Sequence, residues 1–317
     1  MKSQPLVSVI VNCYNGEKYL TEALDSIYAQ TYKNWEVIFF DNQSIDGSAK
    51  IAKKYDSRLK YIYNEVNVPL GEARKKALTF VTGEWICFLD VDDSWYEGKL
   101  EFQLREIQKH PSTDVIYCGI EEINPDGSRI RFDIPRRSGF VSLDDLLVDY
   151  DLNIVTPMIR RDFLLKNELS FDERIHASEE YNLFLRIAVR GKILAKQVVQ
   201  GRYRVYENSL TDKSIDRWHT ERMITLTQCI GMDETLLARS GVQIRSALNR
   251  AFYYKSRHLY SLGKHREARR YLGIIKFDSI FYFLLFILSF SSVLWRIIHR
   301  KNMKLFLTKI LRVNSAS

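Results

Sequence analysis

Trp85-Ile86-Cys87-Phe88-Leu89-Asp90-Val91-Asp92-Asp93 sets five apolar residues directly against a group of three carboxylates. The apolar run has the length of a strand and no alternation, as expected of a strand covered on both faces. Such strands belong to parallel sheets, where ligands bind beyond the carboxyl ends. In an extended chain the side chains at i and i+2 point the same way. Asp90 and Asp92 are therefore expected to converge on one ligand. Asp93 is expected to point elsewhere, as a cap for a helix carrying Lys99 to Ile107.

The pattern recurs upstream. Val7 to Cys13 (VSVIVNC) and Trp35 to Phe40 (WEVIFF) read as buried strands, and Leu59 to Asn64 as another. Tyr19, Leu20, Ala23, Leu24, Ile27 and Tyr28 repeat at helical spacing within Lys18 to Thr31. Ser44-Ile45-Asp46-Gly47-Ser48 is turn and N-cap chemistry that opens a helix to about Tyr55, and Gly71 to Thr82 is the next helix. Alternation of this kind predicts an α/β fold, a mostly parallel sheet with helices on both faces. Polar clusters after Val11, Phe40 and Leu89 all fall at strand ends, which points to one site. Downstream, Val115 to Glu122 reads as a strand, Asn124 to Gly127 as a turn, Glu179 to Val189 as a helix and Gly201 to Tyr206 as a strand. From Arg217 the pattern is helical, so 1–215 is expected to form the catalytic domain and 216–317 a basic helical extension.

With 317 residues, 46% of them hydrophobic, the chain can bury one large core, or one core plus an appendage. Cys13, Cys87, Cys118 and Cys229 form no C-x-x-C pair, which argues against a disulfide framework or a zinc site. The Leu6 to Val11 run is too short for a signal peptide, so the catalytic part is expected to stay on the cytoplasmic side. The net charge of +8 is unevenly spread. Residues 241–317 hold 15 Lys/Arg and 2 Asp/Glu, against 32 and 37 in residues 1–240. Such a tail suits nucleic acid or an anionic membrane. Within it, 280–295 (IFYFLLFILSFSSVLW) carries no charge and precedes Arg296, Arg300, Lys301, Lys304, Lys309 and Arg312. One helix of that length rises roughly 24 Å, against a hydrocarbon core of about 30 Å. We expect 280–298 to associate with a membrane, peripherally or as one short span, rather than serve as a core helix or bind nucleic acid.

Local chemistry names candidates. Carboxylates at Asp90 and Asp92 suit Mg²⁺ or Mn²⁺ beside a diphosphate. Asp41 ends a strand and could accept the N–H of a pyrimidine or close an Asx turn. Tyr14 could stack on a base or simply pack. Arg74 could reach a pyrophosphate or stay a surface cation. Glu179 and Glu180 could favour the helix dipole, or one could take a proton from an acceptor hydroxyl. Arg204 and Tyr206, near Asn208, Ser209 and Thr211, could close over phosphates.

Five stretches together resemble the inverting family 2 glycosyltransferases of GT-A fold: Val7 to Asn15, Asp41 with Ser44 to Ser48, Gly71 to Arg74, Gly83 to Asp93, and Ser178 to Arg186. They occur in the family's order within the first 210 residues or so. The resemblance implies that Tyr14 and Asp41 contact the base, Arg74 the diphosphate, Asp90 the ribose or metal shell, and Asp92 the metal. It implies a base in the acidic pair, where Glu179-Glu180 stands for the usual Glu-Asp, so Glu180 is favoured over Glu179. Asn42 departs from a second acid after Asp41, and Tyr206 from a His two residues after the position of Arg204.

The expected activity is transfer of a sugar from a nucleoside-diphosphate donor, UDP-linked, to a glycan or lipid-linked saccharide in cell-surface polysaccharide synthesis, with inversion. A processive synthase does not fit, since the Q-x-x-R-W motif is missing and one apolar segment cannot form a channel. A nucleotidyltransferase on a similar sheet, or a non-catalytic membrane-docked module, are the rival readings. The first lacks its glycine-rich basic loop, because Asn12 to Gly16 offers one Gly. The sequence carries no signal of oligomeric state, donor sugar or acceptor.

Overall fold

The structure is a computed structural model that describes residues 4–206 and 215–299. Asn208, Ser209, Thr211 and the basic flank from Arg300 onward lie outside the described residues. The chain divides into two compact units, Met1–Leu143 with Asp151–Ser209, and Asp144–Tyr150 with Leu210–Ser317.

The first unit begins with strand β1 (Val7–Cys13), helix α1 (Glu17–Tyr28) and β2 (Trp35–Asp41). Next come α2 (Ser48–Ala52), β3 (Leu59–Tyr63), α3 (Leu70–Leu78) and β4 (Trp85–Phe88). Every residue of β1, β2 and β4 is buried, as largely apolar runs require, and the buried Ser8 of β1 donates to Glu36 of β2 (2.6 Å). The four strands pair in parallel in the order β3-β2-β1-β4. Register sets Cys13 against Asp41, and Asp41 against Tyr63, so three strand ends come level at one edge. Cys13 and Cys87 lie in the core.

Beyond β4 the sheet is mixed. The elements are β5 (Ser94–Trp95), α4 (Lys99–Lys109), β6 (Val115–Ile123), β7 (Arg129–Asp133) and β8 (Gly139–Val141), followed by α5 (Leu143–Val148), which beyond Leu143 belongs to the second unit. They continue with β9 (Met158–Arg160), α6 (Arg161–Lys166), α7 (Glu179–Arg190) and β10 (Ile193–Arg204). β9 enters antiparallel between β4 and β6, and β6 is parallel to β10. The strand expected at Gly201 to Tyr206 is the last part of β10, which starts at Ile193 and shifts register between Lys196 and Gly201. That irregularity interrupts the apolar pattern and hides the earlier half.

The second unit holds α8 (Ile215–Met232), α9 (Leu236–Ser261), α10 (His265–Ile275), α11 (Ile280–Leu288) and α12 (Ser292–Ile298). Tyr253, Tyr260, Leu272, Phe281, Leu285 and Trp295 meet in its core. The single helix expected across 280–295 is broken. Ser289 is fully buried, and its carbonyl accepts from Tyr260 Oη (2.9 Å) and Arg269 (3.2 Å). Ser291 then caps α12 by accepting from Leu294 N–H (3.3 Å). Among the described residues no helix is long and apolar enough to cross a membrane.

Candidate active site

Two loops beyond β1 and β2 form one half of the site. Asn15 N–H donates to Ser44 Oγ (3.0 Å), and Ile45 N–H to Asn15 Oδ1 (2.9 Å). Gly16 N–H donates to Ser48 Oγ (3.0 Å), and Glu17 N–H to Asp46 Oδ2 (3.0 Å). A Cβ on Gly16 would lie 2.7 Å from Val91, so glycine is what lets this loop approach the carboxylate turn. Tyr14, in the loop after β1, stands 56% exposed. Asp41 is fully buried, and both its oxygens have partners: Oδ1 accepts from Ser44 N–H (2.8 Å) and Oδ2 from Tyr61 Oη (2.6 Å). Asn42 donates to Val68 O (2.7 Å) and accepts from Asn64 (3.0 Å) and Val68 N–H (3.2 Å). An Asp could not make the donation, which accounts for the amide at this position.

The other half is charged. β4 stops at Phe88, and Asp93 N–H donates to Asp90 O (3.1 Å), so the chain turns after Asp90. The extended i, i+2 geometry expected for Asp90 and Asp92 does not occur. The turn separates their partners. Arg74 grips both Asp90 oxygens (2.8 and 3.0 Å), while Tyr206 is among the groups that favour the charged form of Asp92. Asp93 is no helix cap either. It is buried and accepts Arg204 N–H (2.8 Å) through Oδ1, while its Oδ2 has no partner. Burial, then the charges of Asp92 and Asp90, push the Asp93 carboxyl well above the ordinary range. Burial and Asp90 push Asp92 up to about 6, opposed by Tyr206 and Arg204.

Arg74 is 2% exposed, not a surface cation. From α3 it reaches Asp90, Glu179 Oε1 (3.2 Å) and Glu180 Oε2 (3.7 Å). Its burial alone would favour the neutral form, but these three carboxylates raise its pKa. Gly71 lets α3 come this close, since a Cβ there would lie 3.1 Å from Ile175 O and 3.4 Å from Glu179 Cβ. Glu179 is buried, whereas the Glu180 side chain is 36% exposed. The Glu180 carboxyl is crowded by protein. Burial, then the Glu179 charge, push it up to about 7, with Arg74 pulling the other way.

Arg204 also lies below the surface. Its guanidinium donates to Asp92 O (2.9 Å), Asn124 O (3.3 Å), Pro125 O (3.2 Å) and Glu22 Oε2 (2.7 Å), and it stacks 4.2 Å over Tyr19. It ties the carboxylate turn to α1 and the β6–β7 turn. Two participants escaped the sequence reading. Glu22, on the polar side of α1, looks there like any solvated acid. Tyr203 alternates with Arg202 and Arg204 along β10, and burial with the charges of Asp93, Glu180, Asp90 and Asp92 raises its hydroxyl pKa. A polar β-strand face is the one signal that could have found Tyr203.

A mixed sheet with its site at the ends of β1, β2 and β4, holding a carboxylate turn and an acidic pair on a helix, defines a GT-A architecture. The Glycosyl transferase family 2 profile matches residues 8–169, and the chain belongs to that family. It is 32% identical over 209 residues to the Escherichia coli UDP-Glc:alpha-D-GlcNAc-diphosphoundecaprenol beta-1,3-glucosyltransferase WfgD, covering 65% of this chain and 79% of that one. The fold is similar to Staphylococcus aureus TarS 1–349 in complex with UDP-GlcNAc, with TM-score 0.67, 22% identity and coverage of 91% and 82%. It is also similar to the Pyrobaculum calidifontis mannosyltransferase PcManGT in complex with GDP-Man and Mn²⁺, with TM-score 0.62, 16% identity and coverage of 99% and 87%.

Proposed function

We propose that this chain transfers a sugar, with inversion, from a UDP-linked donor to a hydroxyl of a glycan or lipid-linked saccharide. The acceptor is met at the cytoplasmic face of a membrane, in the building of a cell-surface polysaccharide. The observation that carries the reading is the cluster around Arg74, which joins Asp90 to Glu179 and Glu180. WfgD, by its name, acts on a diphosphoundecaprenol-linked sugar, which supports the lipid-linked acceptor.

Mn²⁺ or Mg²⁺ fits the residues present. Among the described residues no three His, Cys, Asp or Glu side chains are disposed to hold an ion alone. Asp92, with Asp90 in support, would hold a hard cation that takes its remaining ligands from diphosphate oxygens and water. Burial and the neighbouring Asp90 charge raise the Asp92 carboxyl, which supports a counter-ion there. When bound, the ion would neutralise charge on the leaving diphosphate.

The chain's own groups do the rest. Tyr14 stacks on the base, and Asp41 holds the loop beneath it. Arg74 acts chiefly as the counter-charge that fixes Asp90 and Glu179 in place, and Arg204 positions the Asp92–Asp93 turn from below. Glu180 takes the proton of the acceptor hydroxyl. The acceptor oxygen bonds to the anomeric carbon opposite the diphosphate, and the carbon–diphosphate bond breaks with its electron pair leaving on UDP. A base near pKa 7 is matched to that task.

The test is release of free UDP from a panel of UDP-sugars in Mn²⁺, with acceptor lipid present. Wild type is expected to release UDP from at least one donor, and Glu180→Gln to bind that donor without transfer. Pyrophosphate release from a nucleoside triphosphate, with no UDP release, would move the chain to nucleotidyl transfer.

A further inference from the structure

Helix α11 is apolar on all sides, yet the second unit covers only part of it. Phe281, Tyr282 and Leu285 face the core. Ile280, Phe283, Leu284 and Ile287 lie exposed at i, i+3, i+4 and i+7, which is one continuous stripe. Phe277 (83% exposed) extends it at one end and Phe290 (65%) at the other. Val293 and Leu294 continue it onto α12. A contiguous apolar stripe of this size marks a binding surface.

Its rim is cationic. Lys276 Nζ lies 4.8 Å from the Phe277 ring and 4.9 Å from that of Phe286, and Arg269 lies 4.9 Å over Phe290. Residues 265–299 hold five Lys/Arg and two acids, and one of those acids, Asp278, is paired with Arg245 (2.8 Å). Residues 300–317 add five Lys/Arg and no acid. A second copy docked on the same face would set these cations against themselves.

We propose that this stripe enters the headgroup–acyl boundary of an anionic bilayer, with α11 and α12 lying in the plane of the membrane. Lys276, Arg269 and Arg296 meet lipid phosphates while their methylene stems lie along the rings. The nine residues of α11 rise roughly 14 Å, too little for a span of about 30 Å. This deepens the proposed function by fixing where the acceptor lipid lies, and it rests on that reading for the acceptor alone, because lipid binding needs no turnover.

The experiment sediments full-length protein with phosphatidylcholine vesicles, with and without phosphatidylglycerol, and reads UDP release from a soluble donor in parallel. Wild type is expected to bind the anionic vesicles at least tenfold better than the neutral ones. Ile280→Ser/Phe283→Ser/Ile287→Ser is expected to lose at least tenfold of that binding with UDP release unchanged. Lys276→Glu is expected to lose about threefold on anionic vesicles only. Should the triple variant not fold, Ile280→Ser alone is expected to bind about threefold more weakly. Wild type that ignores both vesicles overturns the proposal, as does a triple variant that binds like wild type. A wild-type dimer that the triple variant disperses gives the face to a second copy. Binding gained only on removal of 300–317 gives it to that segment. Vesicle binding with no UDP release from any donor upholds the surface and overturns the proposed function instead.

Discussion

The two halves of the site are built on opposite principles. At the ends of β1 and β2, backbone N–H groups find side-chain acceptors within the protein, and Asp41 has both oxygens partnered. Beyond β4 and at the start of α7, Asp90, Asp92, Asp93, Glu179 and Glu180 gather around the Arg74 guanidinium and above Arg204. Three of these five carboxyls are pushed upward by burial and one another. The first half is nearly complete as it folds, with the buried Asn12 Nδ2 left without a partner, which suits a seat for a base. The second holds unneutralised negative charge, which suits a place that a cation and a proton must complete. A finished network gives shape, and an unfinished one gives chemistry.

Four changes probe that difference. Glu180→Gln should have the largest effect, lowering kcat about 10²–10⁴-fold while leaving UDP affinity within a few-fold. The measurement is donor turnover beside calorimetric UDP binding, and retained turnover would move the base to Glu179. Next is pH. Asp92 and Glu180 titrate at about 6 and about 7, above the usual carboxylate values. The folded chain therefore holds protons that the unfolded chain has released. This contribution to stability is whole below pH ~4 and is lost as pH rises through the folded values. The melting temperature should fall by a few degrees between those limits, and Asp92→Asn should flatten the decline. Turnover should run the other way, rising as Glu180 deprotonates.

In the nearly complete half the effects are on stability. Asn42→Asp places a carboxylate against Val68 O in place of a donor and should cost about 1–3 kcal/mol by denaturant melt. Ser44→Ala removes the acceptor for Asn15 N–H and should cost about 1 kcal/mol, with kcat little changed. A collapse of kcat in Ser44→Ala at intact UDP affinity would erase the contrast between the halves.

The sequence made β1, β2 and β4 legible because each is a mostly apolar, β-branched or aromatic run that leads into polar residues. It made the acidic pair legible because Glu179-Glu180 opens an amphipathic helix. It could not show that Arg74 is buried, since burial there comes from Asp90 and Glu179, which lie 16 and 105 residues away along the chain. Nor could it show that the chain turns at Asp90. That turn is closed by one backbone hydrogen bond that no side-chain pattern records. The short strands β7, β8 and β9 hold three to five residues each, too few to show a period. The apolar segment at 280–295 illustrates the opposite failure. Its composition fits both a core helix and a membrane face, whereas the structure breaks the helix at Ser289, buries Phe281, Tyr282 and Leu285 and leaves Ile280, Phe283, Leu284 and Ile287 exposed.

We propose that a divalent cation together with a nucleoside diphosphate finishes the charged half of the site. Calorimetric titration of UDP into wild type and Asp92→Asn, each in Mn²⁺ and in chelator, tests it most directly. Wild type is expected to bind at least tenfold more tightly in Mn²⁺, and the variant to show no difference. Equal UDP affinity in Mn²⁺ for both proteins would contradict it.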